Sequence, residues 1–295
     1  MPGVQDGLSA GSLRQALAWA SEQLAASGAD APRLAAEMLA CRAFGFSRLQ
    51  LLTHRDDLPG AEQLAEYAAL IARRAAGEPV AYILGEREFF GLNFAVTLDV
   101  LIPRPETEHI VEEALRLFQR DAAFAFADFG TGSGALAVTL AHEFPSSRGV
   151  AVDISPAALA VARANARTHG VENRLEFLLA DFTTLDLPRG SLDLIVANPP
   201  YVTEAEYAAL AREVRGFEPR LALVSPARGL AHIGGLLPVA ARALRARGVL
   251  LCELGSGQGA DALALAAAVA PELREACILK DYAGLDRILK AHRVN

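Results

Sequence analysis

The chain has 295 residues, long enough for one large domain or two ordinary ones with a sizeable core. Its formal net charge of -7 argues against a surface devoted to nucleic-acid phosphates, because such binding depends on clustered Lys and Arg. The widely spaced Cys41, Cys252 and Cys277 argue against a disulfide framework and against a Cys-x-x-Cys metal site.

Targeting and membrane-spanning patterns are missing from the sequence. The first ten residues, "MPGVQDGLSA", lack a charged stretch followed by an apolar one, and charges interrupt the Ala-rich stretches. The histidines His109, His142 and His169 have no metal-ligand spacing, so no metal is expected. We therefore expect a cytoplasmic protein that has no membrane partner.

The first part of the chain is predicted to be helical. From about residue 8 to residue 76, apolar residues recur at intervals of three and four, as in "SLRQALAWASEQLAASG" and "AEQLAEYAALIARRAAG". Gly28, Gly45 and Gly77 stand where helices would end. This pattern predicts a small helical domain over residues 1–80.

A change of pattern follows this region. Aromatic and β-branched residues around Gly85 and Gly91 predict a β-hairpin linker over residues 81–100. After a helix in "ETEHIVEEALRLFQR", strand-like runs such as "AFAFADFG", "GVAVDIS" and "LDLIVANPP" alternate with helical ones. Residues 101–295 are therefore predicted to form an α/β domain with a mostly parallel, doubly wound sheet, whose last two strands pair antiparallel at one edge.

A glycine-rich loop in "FADFGTGSGALAVTLAHEF" lies between a predicted strand and a predicted helix. Gly130, Gly132 and Gly134 allow a tight turn, and the N–H groups of the helix start favour a nucleotide-like ligand. Asp153 ends the next strand, where its carboxylate would accept both ribose hydroxyl hydrogens. The Gly-x-Gly-x-Gly spacing differs from the dinucleotide fingerprint, which favours a cofactor other than NAD.

Two questions about this ligand stay open at this level. Asp181 and Phe182 suit the amine and the face of an adenine, but Asp181 is equally suited to be a helix cap. A second loop repeats the glycine spacing at Gly255, Gly257 and Gly259, with Asp281 at a comparable distance downstream. Because ligands bind where the strand order reverses, usually at the first strand of the unit, we favour the first loop.

The tetrapeptide "NPPY" follows the apolar run "LDLIVA" at the carboxyl end of a predicted strand. The Asn198 side-chain oxygen and the Pro199 carbonyl would form two acceptors at a fixed separation, which suits one planar NH2 group. Tyr201 would stack on the flat face of that group. The alternative is a simple turn, since Asn-Pro is common in turns.

These motifs resemble those of known enzymes. "DFGTGSG", "VAVDIS" and "VANPPY" look like the S-adenosylmethionine motifs of class I methyltransferases that modify a planar amino group. The stretches "PVAYILGEREFFGLNF", "VLIPRPETE", "FEPRLAL" and "YAGLDR" are similar to the peptide chain release factor glutamine methyltransferases, the HemK/PrmC family. The resemblance runs from about residue 10 to residue 290.

The resemblance implies a fold, a reaction and a site. The family has a helical bundle, a hairpin linker and a seven-stranded methyltransferase domain, and it methylates the glutamine side-chain amide in the Gly-Gly-Gln motif of class-I release factors. The cofactor is S-adenosylmethionine and its product S-adenosylhomocysteine. By motif, the cofactor would contact residues of the loop and two strand ends: Gly130, Thr131, Gly132, Ser133, Gly134, Asp153, Asp181, Phe182 and Asn198. The substrate glutamine would lie against Asn198, Pro199, Pro200 and Tyr201, with Asn198, Pro199 and Tyr201 catalytic.

Two positions depart from the family pattern, and other functions are compatible with some of the motifs. At residue 182 many relatives have Trp, and the segment with Pro226 and Arg228 departs from the family pattern. Arg104 would either guide a polar partner or simply precede the helix start at Pro105.

Rival functions are a ribosomal-protein glutamine methyltransferase, an adenine-amino methyltransferase and a cofactor-binding protein without catalysis. Residues 1–90 contain eight Arg, no Lys and eleven acids, which disfavours nucleic acid; a monomer is expected.

Overall fold

The structure is a computed structural model that describes residues 11–294. The chain divides into two compact units. The first extends to Gly85 and also includes Ala211–Phe217, and the second comprises Glu86–Leu210 and the chain from Glu218 onward. The domain limits 1–80, 81–100 and 101–295 stay a prediction.

The first unit consists of helices, numbered here in chain order. They are α1 (Leu13–Ala26), α2 (Pro32–Phe44), α3 (Arg48–Thr53), α4 (Ala61–Ala75), α5 (Val80–Leu84) and α10 (Arg212–Phe217). The buried hydroxyl of Tyr67 donates to the Ala36 carbonyl at 3.0 Å, which joins α4 to α2. Buried Arg74 pairs with Glu213 of α10. The three longest helices end within two residues of a glycine, as the sequence predicts.

The hairpin is shorter than predicted. It consists of β1 (Glu86–Phe89) and β2 (Leu92–Ala95), which pair antiparallel, whereas Val80–Leu84 is the helix α5. Consecutive residues of α5 are buried against the helical core, and that burial outweighs their local β preference. Gly85 ends the helix in the left-handed region, with φ of 77°.

A seven-stranded sheet forms the centre of the second unit. Its strands are β3 (Ala125–Phe129), β4 (Arg148–Asp153), β5 (Leu175–Leu179), β6 (Leu192–Ala197), β7 (Leu244–Glu253), β8 (Leu273–Lys280) and β9 (Asp286–Arg293). The order is β5-β4-β3-β6-β7-β9-β8, and β9 is antiparallel to both of its neighbours. The mostly parallel sheet and its antiparallel edge pair are confirmed.

Helices cover both faces of this sheet. They are α6 (Glu108–Leu117), α7 (Ala135–Glu143), α8 (Pro156–Thr168), α12 (Ala231–Ala243) and α13 (Gly259–Val269), while the short helices α9 (Glu204–Ala209) and α11 (Pro226–Gly229) lie in the connection between β6 and α12. Residues of α6, α7 and α8 form one apolar core with the sheet, and α12 and α13 contribute to a second. Among residues 11–294, every helix is too short or too polar to cross a membrane.

The strand order places a crevice at β3. The next strand in the chain, β4, lies on one side of β3, and β6 lies on the other, so the order reverses at this strand. In doubly wound sheets, ligands bind at the carboxyl edge beside such a reversal. The first glycine loop follows β3 and lies at this point, as predicted.

The close packing of β3 against β4 predicts that a larger side chain at residue 149 destabilises the protein. Gly149 is opposite Phe126, and a Cβ at residue 149 would lie 2.3 Å from the Phe126 ring. We expect Gly149→Ala to lower the free energy of unfolding by about 1–3 kcal/mol, because the buried ring must move. Urea denaturation measures the change. Gly216→Ala is the control, since a Cβ there meets no described atom within 4 Å; equal stability of the two variants would contradict the expectation.

Candidate active site

A cavity lies at the carboxyl ends of β3, β4 and β6. Most of the predicted site residues line it: Gly130, Thr131, Gly132, Ser133, Asp153, Asp181, Phe182, Asn198 and Pro200. Gly134, Pro199 and Tyr201 adjoin these residues in the chain but are not part of the lining. The structure thus brings the glycine loop, the two acids and the start of NPPY to one cavity.

The glycine loop folds back on the neighbouring strand. The backbone N–H groups of Gly130 and Thr131 both donate to the Val152 carbonyl at 2.9 Å. Gly134 immediately precedes α7 with φ of 82°, and a Cβ there would lie 3.1 Å from the Ala162 Cβ. Both its left-handed backbone and its closeness to α8 favour glycine at residue 134.

Asp153 connects the loop to the start of α8. Its Oδ2 accepts from the Gly132 N–H at 2.9 Å, and its Oδ1 accepts from the Ser155 N–H at 2.9 Å. Each carboxylate oxygen has a second lone pair, so both can still accept from a ligand. Burial raises the pKa of Asp153. The Ser155 side chain caps α8 by accepting from the Ala158 N–H, and Pro156 begins the helix.

Asp128 is a buried acid of the cavity that the sequence analysis missed. Its Oδ2 accepts from the Thr131 hydroxyl at 2.6 Å and from the Ala137 N–H at 3.1 Å. Its Oδ1 is buried without a partner in the described part of the chain. Burial raises the pKa of Asp128 to about 7, and the charge of Asp153 adds to the effect. An acid just before the glycine loop was the available signal.

Asp181 and Phe182 also line the cavity. The Asp181 Oδ1 accepts from the N–H and the hydroxyl of Thr183 at 2.8 and 2.6 Å, so this carboxylate closes a turn and caps no helix. The Phe182 ring stacks on Phe129, with centroids 5.9 Å apart and planes 3° apart. His232, also missed from the sequence, lies 6.3 Å from the Phe182 ring, and burial lowers its pKa.

Asn198 and Tyr201 are joined by two buried side chains. The Asn198 Nδ2 donates to the Thr107 hydroxyl at 2.9 Å. The Thr107 hydroxyl in turn donates to the Glu253 Oε2 at 2.6 Å. The Tyr201 hydroxyl donates to the Glu253 Oε1 at 3.2 Å. Within residues 11–294, no group donates to the Asn198 Oδ1 or to the Pro199 carbonyl. The two acceptors of the prediction are therefore free of internal partners.

Glu253 is the charged member of this network. It is 1% exposed, and burial raises its pKa to about 7, while its bonds to Thr107 and Tyr201 act in the opposite direction. Burial and the neighbouring Glu253 raise the pKa of Tyr201, so that its hydroxyl stays protonated at neutral pH. Glu253 was missed as a site residue because it ends the strand before the second glycine loop, and Thr107 was missed because it lies in the segment interpreted as a helix start.

The second glycine loop contacts the NPPY segment. The Gln258 Nε2 donates to the Tyr201 carbonyl at 3.0 Å and to the Arg228 carbonyl at 3.1 Å. Asp281, the acid that would have accompanied this loop as a cofactor site, instead accepts from the Arg287 Nε at 2.9 Å. The loop is thus arranged as a support for NPPY.

The segment that departs from the family pattern packs beside the same tetrapeptide. Arg228 has a left-handed backbone, with φ of 58°, and pairs with Asp261 at 3.1 Å on the surface. Gly229 follows with φ of 82°, and a Cβ there would lie 2.1 Å from the Tyr201 carbonyl oxygen. Glycine is therefore required at residue 229, and the unusual residues before it do not enter the cavity lining.

Arg104 also lines the cavity, but its charge is paired. Its Nη2 lies 2.6 Å from the Glu218 Oε1, and the other oxygen of Glu218 accepts from the Ile102 N–H at 3.3 Å. Pro105 begins a 3-10 turn that continues into α6, as the helix-start interpretation expects. In residues 11–294 no cluster of His, Cys, Asp and Glu is arranged to hold a metal ion.

Comparison with known proteins adds sequence relationships to this geometry. Residues 15–85 match the PrmC N-terminal domain, and residues 126–217 match a methyltransferase domain. A release factor glutamine methyltransferase of Nitratidesulfovibrio vulgaris is 47% identical over 95% of both chains. Those of Moorella thermoacetica and Koribacter versatilis are 45% and 42% identical, over 95% and 82% of this chain and 98% and 86% of their own.

The fold, the cavity and these matches define an S-adenosylmethionine-dependent methyltransferase. The similarity to the named relatives extends over nearly the whole chain, including the helical region. The chain belongs to the release factor glutamine methyltransferase family.

The charges around the cavity fit this cofactor. S-adenosylmethionine carries a sulfonium and an ammonium group, and cations stabilise buried carboxylates. Asp128, Asp153 and Asp181 line the cavity, and the unpartnered Asp128 oxygen is the kind of group that a donor from a ligand would satisfy. The charge of Arg104 is already neutralised by Glu218. The cavity thus favours a cationic ligand.

The raised pKa of Asp128 predicts how stability depends on pH. The folded-state pKa of about 7 exceeds the ordinary 3.8, so the folded protein holds a proton that the unfolded chain releases. The free energy of unfolding should therefore fall as pH rises from about 4 to about 7, by up to roughly 4 kcal/mol from this group.

Asp128→Asn should remove this contribution, so the stability of the variant relative to the wild type increases with pH. Urea denaturation of both proteins at about pH 5 and about pH 8 measures the difference. Asp121→Asn, at an exposed position, is the control and should leave the pH dependence unchanged. An Asp128→Asn protein with the wild-type pH dependence would show that the raised pKa is wrong.

Proposed function

We propose that this protein transfers the methyl group of S-adenosylmethionine to the side-chain amide nitrogen of the glutamine in the Gly-Gly-Gln motif of class-I release factors. The observation that carries the proposal is the pair of unpartnered acceptors, the Asn198 Oδ1 and the Pro199 carbonyl, next to a cavity suited to a cationic cofactor. The named activity of the relatives supports the choice of substrate.

Asn198, Pro199 and Tyr201 would act directly on the glutamine. When bound, S-adenosylmethionine supplies an electrophilic methyl group. The glutamine NH2 donates to the Asn198 Oδ1 and the Pro199 carbonyl, and the Tyr201 ring and Pro200 limit its movement. Positive charge would develop on the nitrogen as its bond to the methyl group forms and the methyl–sulfur bond breaks, so both hydrogen bonds would strengthen in the transition state. The methylated nitrogen would then lose one proton to water, and the sulfur would remain as a neutral thioether. No base is needed before the transfer.

The cofactor would lie along the glycine loop. Gly130 to Gly134 provide the close backbone approach, Asp153 accepts from the ribose hydroxyls, and Asp181 and Phe182 contact the adenine. The loop geometry supports this assignment, because Asp153 and the Gly132 N–H are within hydrogen-bond distance of each other at the point where the strand order reverses. Holding the methyl donor and the amide in line contributes about 7–11 kcal/mol in well-oriented reactions.

The helical region is proposed to select the substrate. It matches the PrmC N-terminal domain, and residues 1–90 contain more acids than bases, which suits a protein partner better than a nucleic acid. We propose a monomer that acts in the cytoplasm, where release factors function, with no direct contact to nucleic acid.

A methylation assay tests the substrate. The protein is incubated with labelled S-adenosylmethionine and a class-I release factor, beside a release factor whose Gly-Gly-Gln glutamine is Ala. We expect label only in the first. Equal label in both would exclude the release-factor glutamine as the acceptor, and label in ribosomal proteins or in adenine-containing nucleic acid instead would favour one of the rival functions.

Asn198→Ala tests the proposed acceptor. Loss of one hydrogen bond to a developing charge costs about 1.5–3 kcal/mol, so kcat should fall on the order of ten- to a hundredfold. Binding of S-adenosylmethionine, measured by calorimetry, should weaken by less than kcat falls, because the other eight predicted cofactor contacts remain. Asn173→Ala, at an exposed position, serves as the control and should retain full activity. Undiminished turnover by Asn198→Ala would remove Asn198 from the mechanism.

A further inference from the structure

Asn198 and Tyr201 are connected by residues that are distant in the sequence. Thr107 precedes α6, Glu253 ends β7, and Asn198 follows β6, yet the chain of hydrogen bonds joins them at 2.9 and 2.6 Å. Thr107 and Glu253 are 5% and 1% exposed, so water does not compete for these bonds. Neither residue was identified by its motif.

The direction of each hydrogen bond in this chain follows from the carboxylate. Above its pKa of about 7 the Glu253 carboxyl group is ionised, has no hydrogen and can only accept. The Thr107 hydroxyl has a single hydrogen, so it donates that hydrogen to Glu253 and can only accept from Asn198. The Asn198 amide must therefore turn its NH2 toward Thr107, and its oxygen is left for the cavity.

The orientation of this amide matters because the proposed substrate group is itself a donor. If Asn198 were rotated by half a turn, its NH2 would face the NH2 of the glutamine, and no hydrogen bond could form. An isolated amide has no strong preference between the two orientations. The orientation is fixed when the NH2 faces a partner that can only accept. Thr107 is such a partner, because its single hydroxyl hydrogen is already donated to Glu253.

We propose that Thr107 and Glu253 are positioning residues that orient the Asn198 amide oxygen toward the substrate nitrogen. This inference rests on the proposed function, since it assigns a direction to the acceptor used there. The same carboxylate accepts from the Tyr201 hydroxyl with its other oxygen, and Gln258 binds the Tyr201 carbonyl. Glu253 thereby holds both ends of the tetrapeptide in relation to each other.

Two substitutions at residue 107 distinguish a loss of Asn198 orientation from a loss of side-chain packing. Thr107→Val keeps the shape of the side chain but removes the hydroxyl, whereas Thr107→Ser keeps the hydroxyl and removes a methyl group. We expect kcat of Thr107→Val to fall about tenfold or more, with the KM for S-adenosylmethionine unchanged, because one hydrogen bond to a developing charge is lost in most molecules. Thr107→Ser should stay within about threefold of the wild type, since the hydrogen-bond chain is intact.

Glu253→Gln is an independent test of direction. The Gln NH2 can donate to the Thr107 oxygen. The Thr107 hydroxyl can then donate to Asn198, so that the direction of both hydrogen bonds is reversed. We expect a loss of kcat at least as large as that of Thr107→Val. Thermal unfolding of each variant identifies any loss that results from incomplete folding.

A double-mutant cycle distinguishes a positioning role from a structural one. In the Asn198→Ala background, Thr107→Val should cause no further loss of kcat, because there is no amide left to orient. An equal loss in both backgrounds, or equal activity of Thr107→Val and Thr107→Ser, would overturn the inference while the role of Asn198 stands. Full activity of Asn198→Ala would instead overturn the proposed function, on which the inference rests.

Discussion

A single buried carboxylate, Glu253, connects the residues on the NPPY side of the cavity. Removing a charged group from water is costly unless hydrogen bonds compensate, and Glu253 receives them from Thr107 and Tyr201. The elements that carry these residues must therefore meet at the carboxyl end of β7. The position of NPPY is thus set from outside the tetrapeptide, by the residue that ends the neighbouring strand.

Two loops of the same glycine spacing have different roles because of their places in the sheet. The loop after β3 lies where the strand order reverses, and Asp153 accepts from its backbone. The loop after β7 lies between parallel β6 and antiparallel β9, and its Gln258 is directed at Tyr201. Spacing alone does not separate these roles, since the crevice of a doubly wound sheet is a property of strand order.

A structural feature could be predicted from the sequence when neighbouring residues encode it, and not when it is formed by residues far apart in the chain. The alternating strands, the glycine loop and the position of Asp153 at a strand end were predictable, because each is encoded within a few consecutive residues. The pairing of Thr107 with Glu253 was not, because 146 residues separate them and neither has a local pattern. Asp128 was missed inside an apolar run, and α5 was interpreted as part of a hairpin because tertiary burial overrides local preference.

A buried acid lies on each side of the cavity, Asp128 beside the glycine loop and Glu253 beside NPPY. Asp128 and Glu253 both have raised pKa values because they are buried, so each favours a compensating donor or cation nearby. Glu253 finds its donors within the chain, whereas one oxygen of Asp128 has none among the described residues. A ligand that binds only the folded state and supplies that missing partner also stabilises the fold. The NPPY side of the cavity is therefore held by bonds within the chain, whereas the glycine-loop side leaves one carboxylate oxygen for a ligand.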